Sequence, residues 1–249
     1  MQLDFKNKII LITGGTRGIG KQISEDLHDL GATVLITGTN SEEVKKLNKV
    51  ASRNSEKKKY LTLDLLKSDG VNRFLDEIKS YKRIDGLVNN AGINRLNSIQ
   101  DAVVSDWDDM LKVNLTSPFL LLNAVSHKMI HNKYGRIVNI ASIFGVISKE
   151  KRAVYSATKF GIHGLTVGSS NDLARHNILV NTVSPGFVLT DLTRKNLTES
   201  EMEDLSKQIP IKRMAETKDI SNIVVFLLST LNNYITGQNI VVDGGFTNV

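Results

Sequence analysis

In the stretch YSATK, Tyr155 is followed four residues later by Lys159, which puts a phenol and an ammonium on one face of any helix that carries them. Such a pair can do acid–base chemistry. A phenol ordinarily holds its proton to about pH 10, and a cation one turn away favours the phenolate and lowers that value. The tyrosines stand at 60, 81, 134, 155 and 234, and the residues four places after the other four are Asp64, Asp85, Val138 and Gln238, so the pairing occurs once. Taken alone, such a pair is usually a solvated helix face.

A second chemistry-bearing stretch is TGGTRGIG (13–20). It follows an apolar run and precedes a helical one, and Gly14, Gly18 and Gly20 give the spacing G-x3-G-x-G. Glycines in that context let backbone N–H groups approach a pyrophosphate at a helix N-terminus, where the helix dipole favours anions. The turn residues Gly14, Thr16, Arg17, Gly18, Ile19 and Gly20 are the expected dinucleotide contacts. The end of the second apolar run, ITGTN (36–40), carries no acid before Glu42 to hold a ribose 2′-hydroxyl. Arg17 inside the turn is suited to an additional phosphate, and Thr37 and Thr39 offer hydroxyls. The expected cofactor is therefore NADP(H) rather than NAD(H).

These residues need elements to position them. KIILIT (8–13), TVLIT (33–37), KYLTLD (59–64), DGLVNN (85–90), RIVNIA (136–141), ILVNTVS (178–184) and NIVVD (239–243) read as strands, several apolar on both faces as in a buried parallel sheet. Helical segments fall between them at about 20–30, 41–53, 68–80, 106–132, 152–176 and 217–229. Repeated alternation implies right-handed crossovers and a doubly wound (Rossmann) α/β sheet of seven parallel strands with helices on both faces. No linker or low-complexity tract interrupts it, so residues 1–249 read as one domain. The polar, charged segment 187–214 reads as an insertion, a candidate lid over the carboxyl edge of the sheet. In KVNLTSPF, Pro118 has no N–H to return to the carbonyl of Asn114, which a helix there would leave free.

TGGTRGIG, NNAG (89–92), YSATK and PG (185–186), in this order and at this spacing, resemble the motifs of the short-chain dehydrogenase/reductase family over nearly the whole chain. The resemblance implies a catalytic set of Asn114, Ser142, Tyr155 and Lys159. Tyr155 would supply a proton to the oxygen on which charge develops during hydride transfer. Lys159, helped by the oxidised nicotinamide, would lower its pKa and hold the ribose. Ser142 would bond the substrate oxygen, and the Asn114 carbonyl would hold a water that relays protons from Lys159. It further implies Asp64 and Leu65 beside the adenine, with Asn90, Ala91 and Gly92 along the adenosine ribose. Pro185, Gly186, Val188 and Thr190 would stand by the nicotinamide. A structural role for Asn89 and Gly92 fits equally well.

Within that family the resemblance is nearest to bacterial 3-oxoacyl-acyl-carrier-protein reductases, through NNAGINR (89–95), HNKYGRIVNIAS (131–142), PGFVLTDLT (185–193), YITG and VDGG. It implies fatty acid biosynthesis, a carrier-protein-linked carbonyl substrate, and a homotetramer with helices 106–132 and 152–176 at one interface. Lys128, Lys133, Arg175 and His176 would offer a basic patch to an acidic carrier. Three stretches depart from it: the polar LNSIQ (96–100), the late-helix VGSSNDLARH, and KEKR (149–152) where a small neutral loop is usual. The charge run KEKR suits either a solvated loop or a substrate mouth that grips an anionic group, as in a sugar, polyol or nucleotide-sugar enzyme. A non-catalytic NADP-binding regulator is the remaining class, and a complete Asn-Ser-Tyr-Lys set argues against it.

Bulk properties narrow the classes further. With zero cysteines among 249 residues there is no disulfide, thiolate metal site or cysteine nucleophile, which suits a reducing, cytoplasmic setting. No stretch reaches the roughly 18 apolar residues of a membrane span, and the N-terminus lacks a signal-peptide pattern. The net charge of +6 fits a lysine-rich surface or an anionic ligand. Lys57-Lys58-Lys59 without interleaved aromatics does not suggest nucleic acid. His127 and His131 are spaced for a metal but lack a third ligand, so none is expected.

Overall fold

Short runs of Val, Ile and Leu that are apolar on both faces are stable only where both faces are covered. In the computed structural model, which describes residues 3–248, they form the middle of a parallel sheet. The elements in chain order are β1 (Ile9–Ile12), α1 (Gly18–Asp29), β2 (Thr33–Gly38), α2 (Ser41–Arg53), β3 (Lys58–Thr62), α3 (Ser68–Lys79) and β4 (Gly86–Asn89). They continue with α4 (Val104–Leu111), α5 (Ser117–Asn132), β5 (Gly135–Ile140), α6 (Ala153–Leu173) and β6 (Ile178–Pro185). The last are β7 (Val188–Leu189), α7 (Asp191–Asn196), α8 (Glu199–Gln208), β8 (Ala215–Glu216), α9 (Thr217–Leu228) and β9 (Asn239–Val242). The seven-stranded sheet runs β3-β2-β1-β4-β5-β6-β9, every neighbouring pair parallel.

Alternation along each strand divides the core in two. Ile10 and Ile12 of β1 pack with Ile23 and Leu27 of α1 and Val224 and Leu228 of α9 on one face. Leu11 packs on the other with Phe74 and Ile78 of α3 and Leu121, Val125 and Met129 of α5. The chain runs outward from β1 through β2 to β3, then crosses to β4 on the other side of β1. That reversal leaves a crevice beyond the carboxyl ends of β1 and β4, the place where sheets of this topology bind ligands.

Three details differ from the sequence expectation. Segment 106–132 is not one helix: α4 and α5 are joined by a π-helical turn, Lys112–Thr116. Segment 187–214, read as an insertion and candidate lid, carries regular elements of its own: β7 pairs in parallel with β8, and α8 starts on a Thr198–Glu201 capping box. Asp64 lies two residues beyond β3 rather than closing it.

A buried polar chain fixes α6 on the sheet. Asn89 Nδ2 donates to Asn139 Oδ1 at 2.8 Å, and Asn139 Nδ2 donates to Thr166 Oγ1 at 2.8 Å. Thr182 Oγ1 donates to the same oxygen at 2.8 Å, and Thr166 donates onward to the Ile162 carbonyl at 2.9 Å. A hydroxyl has one donor and two acceptor sites, and at Thr166 all three are used. β5, β6 and α6 thus share one fully engaged atom, and β4 joins them through Asn89 and Asn139, which supports Asn89 as a structural residue.

Candidate active site

The crevice holds a cleft of about 450 Å³ whose walls include Gly14, Thr16, Arg17, Gly18, Ile19, Thr37, Thr39, Asp64, Leu65, Asn90, Ala91, Gly92 and Thr190. Its floor is the glycine turn. Gly14 has φ +62°, a left-handed conformation, and a Cβ on Gly20 would lie 2.5 Å from the Asn90 side chain. Asn90 Nδ2 donates to the carbonyls of Thr13 (2.9 Å) and Gly14 (3.0 Å). Thr13 Oγ1 accepts from the N–H groups of Asn90 and Ala91. Thr37, though it lines the cleft, is buried, and its hydroxyl accepts from Gly14 N–H at 3.1 Å. The hydroxyl expected to face a cofactor therefore also holds the turn.

Helix α1 begins here with Arg17 as N-cap and no side-chain cap bond. Its first N–H groups are left for an external acceptor, which is what a pyrophosphate needs. An uncapped helix start, a turn with no Cβ in the way and Arg17 on the wall fit a dinucleotide with an additional phosphate. The cleft also uses Gly38, Glu43, Leu63, Leu66, Ile93, Val113 and Asp191, which were not among the expected contacts. Glu43 lies in the first turn of α2, past the strand end where an acid is ordinarily sought. Ile93 directly follows NNAG, so that motif could have been read one residue further.

Beyond the cleft, Ser142, Tyr155 and Lys159 converge from two elements. Ser142 follows β5 and its Oγ accepts from Phe144 N–H at 3.2 Å. Tyr155 and Lys159 lie on the first turns of α6, with the Lys159 ammonium 5.6 Å from the centre of the Tyr155 ring. A Cβ on Gly92 would lie 3.3 Å from Asn114 Oδ1 and 3.6 Å from Lys159 Nζ, so these groups meet at one place. Pro185 and Gly186 end β6 against β9, where Gly186 N–H donates to the Val242 carbonyl at 2.9 Å. Val188 is buried at the start of β7.

Asn114 sits inside the π-helical turn. Its Nδ2 donates to the Ile93 carbonyl (2.9 Å) and Thr158 Oγ1 (3.1 Å), and its Oδ1 accepts from Ile93 N–H (2.9 Å). Thr158 Oγ1 donates in turn to the Tyr155 carbonyl at 2.7 Å. The backbone differs from the simple reading of Pro118. Ser117 N–H bonds the Lys112 carbonyl, a five-residue register, in which Pro118 faces Val113 rather than Asn114. Regular spacing resumes with Thr116 as the N-cap of α5, whose carbonyl accepts the first bond of that helix. Of the carbonyls of Val113, Asn114 and Leu115, two are therefore left without a helical N–H, since Pro118 offers none.

The electrostatics correct one expectation. Tyr155 is pushed above the ordinary phenol value by burial, against a downward pull from Ser142 and the Arg152 charge. Lys159 is engaged elsewhere. Burial lowers its own ammonium to about 8, and its Nζ donates to the Ile140 carbonyl at 3.0 Å. Arg152 lends its charge to the phenol, while the Lys159 amine is turned toward the sheet.

Comparison with known proteins agrees with this geometry. A family model described as enoyl-(acyl carrier protein) reductase matches residues 14–247. The 3-oxoacyl-acyl-carrier-protein reductase of Aquifex aeolicus is 41% identical over 98% of this chain and 99% of its own. That of Escherichia coli is 35% identical over 98% of each. Among solved structures, a gluconate 5-dehydrogenase from Burkholderia cenocepacia in complex with NADP and tartrate superposes with a TM-score of 0.91 at 31% identity, covering 99% of this chain and 97% of that one. ElxO with NADP bound superposes with a TM-score of 0.90 at 30% identity, covering 97% and 99%.

Proposed function

Because the chain belongs to the short-chain dehydrogenase/reductase family, we propose that its site interconverts a carbonyl and a secondary alcohol with NADP(H) as cofactor. The observation that carries this is the convergence of Ser142, Tyr155 and Lys159 beside a cleft shaped for a dinucleotide. NADP(H) suits the chain's residues, with Arg17 and Thr39 toward the additional phosphate and the uncapped start of α1 toward the pyrophosphate. Asp64 and Leu65 would meet the adenine, and Pro185, Gly186, Val188 and Thr190 the nicotinamide. The cofactor, when bound, supplies the hydride to the carbonyl carbon. Ser142 then holds the substrate oxygen and Tyr155, kept protonated by burial, donates its proton to it. Lys159 would turn from the Ile140 carbonyl to the ribose, and a water held by the free carbonyls around Asn114 would bring a proton in from solvent to restore Tyr155.

The substrate reading we favour is a sugar- or polyol-type compound, supported by the charged stretch KEKR before Tyr155 and by the likeness to a gluconate 5-dehydrogenase. Reduction of a 3-oxoacyl thioester is the second reading, and the 41% identical Aquifex relative favours it. Lys128 counts against a free basic patch for a carrier protein, since its ammonium is held by the carbonyls of Lys79 and Tyr81. A homotetramer in the cytoplasm completes the proposal, the assembly supported by exposed Trp107, Phe119, Phe160 and Val167 on α4, α5 and α6. No helix among the described residues is long and apolar enough to cross a membrane.

The test is turnover by the purified protein of acetoacetyl thioesters, keto-sugars, oxo acids and polyols, each with NADP(H) and NAD(H). Reduction of the thioester alone would select the second reading. Absence of turnover with all of them would leave a non-catalytic NADP-binding protein. Light scattering across micromolar concentrations checks the assembly, and a strictly monomeric mass would refute it.

A further inference from the structure

Arg152 is the N-cap of α6, the position where Ser, Thr, Asp and Asn stabilise a helix and where a cation opposes the helix dipole. Its side chain makes no cap bond. The preceding Lys151 holds a left-handed φ of 60°, which costs a non-glycine residue. Local preferences are broken at two consecutive residues next to the reacting group, a pattern expected where function sets the residue. The Arg152 guanidinium instead lies over the Phe144 ring, 4.8 Å from its centre. That ring meets Tyr155 edge-on at 6.4 Å and Phe187 at 6.5 Å, and Phe187 meets Phe246 at 5.1 Å. Arg152 is partly buried, and among the described residues it has no carboxylate partner; Tyr155 is the one group of opposite tendency that acts on it.

We propose that Arg152 is a specificity-determining residue that receives a carboxylate borne by the substrate within a few bonds of the reacting carbon. The natural substrate is then an oxo or hydroxy acid whose body lies against the partly exposed Phe187 and Phe246. This rests on the carbonyl–alcohol activity inferred above. With its guanidinium over the Phe144 ring and no carboxylate among the described residues bonded to it, Arg152 keeps N–H groups available, and these match a carboxylate in two parallel bonds. Partial desolvation without an anion is unfavourable, and a carboxylate offsets it. A thioester beside the reacting carbonyl is neutral and does not.

The experiment measures kcat/KM with NADPH for oxo acids of increasing length, one of them polyhydroxylated like gluconate, each against its methyl ester, with acetoacetyl thioester alongside. Wild type, Arg152→Gln and Arg152→Lys are compared. Wild type should prefer at least one acid over its ester by roughly 10- to 100-fold, the usual effect of a charge-assisted pair. Arg152→Gln should bring that ratio near one, and Arg152→Lys should recover part of it. If wild type reduces esters or the thioester as well as the acids, the proposal falls while the reductase reading stands. It falls too if Arg152→Gln lowers acid and ester alike, because Arg152 is then a packing residue. If nothing in the set, thioester included, oxidises NADPH, the reductase reading fails and takes the proposal with it.

Discussion

Replacing Lys159 by Met should make the ligand-free protein more stable at neutral pH while removing its activity. The folded ammonium titrates at about 8 against 10.5 for an ordinary lysine, with burial as the cause. Below about pH 8 the folded chain therefore bears the full cost of a desolvated charge. Between about 8 and 10.5 the unfolded chain binds more protons than the folded one, so stability rises with pH in that window. Lowering the ammonium from 10.5 to about 8 corresponds to about 3 kcal/mol. Met fills similar volume without charge, but the bond from Nζ to the Ile140 carbonyl is lost, at a cost of about 1–2 kcal/mol. The net expectation at pH 7 is a gain of about 1–2 kcal/mol, or about 2–8 °C in Tm at this chain length. The assay is unfolding of both proteins without cofactor at pH 7, 8, 9 and 10. Other groups titrate in both, so the wild-type-minus-variant difference isolates Lys159: the variant's advantage should shrink and reverse toward pH 10. A variant that is less stable at pH 7, with a difference that stays flat across the series, refutes the reasoning.

Three further outcomes follow from the same geometry. Tyr155→Phe should lower turnover by on the order of 10² to 10⁴, the contribution of a positioned acid, with NADPH affinity by fluorescence titration unchanged; near-normal turnover would return YSATK to a plain helix face. Arg17→Ala should weaken NADPH binding by about 1.5–3 kcal/mol and barely alter NADH binding; equal loss of both, read by calorimetry, would make Arg17 structural. Thr166→Val empties the shared hydroxyl, stranding donors on Asn139 and Thr182, and should lower stability by about 2–4 kcal/mol, measured by urea unfolding.

The seven main strands could be read from the chain because both-face apolarity leaves few alternatives to a buried parallel sheet, and each lies within two residues of its expected place. The glycine turn was equally legible, since positions such as Gly20 tolerate no Cβ. Less legible was whatever depends on a side chain's direction. Spacing put Lys159 on the face of Tyr155 but could not tell that its amine turns to the Ile140 carbonyl. KEKR could be read as a solvated loop or as a substrate mouth because nothing local distinguishes Arg152 from Lys151, although one lies over Phe144 and the other is exposed. Pro118 pointed to a freed carbonyl, yet a five-residue register cannot be foreseen from one proline. Two-residue strands such as β7 and β8 are too short to show any period.

The shared hydroxyl of Thr166 has a consequence for how the enzyme can move. Its three bonds join two strands, β5 and β6, to one helix at a single oxygen, and β4 is tied in through Asn139, so a slide or a twist of α6 breaks several bonds together. Tyr155 and Lys159 ride on that helix, eleven and seven residues before Thr166. Their backbone is in this sense preset before any ligand arrives, and adjustment is left to side-chain rotation. If binding requires larger rearrangement, it has to come from outside this joint, in β7 to β8, whose helix α8 contributes no buried residue to the interior. The protein then divides its labour between a rigid frame that fixes the proton donor and an excursion that is free to accommodate whatever the donor acts upon.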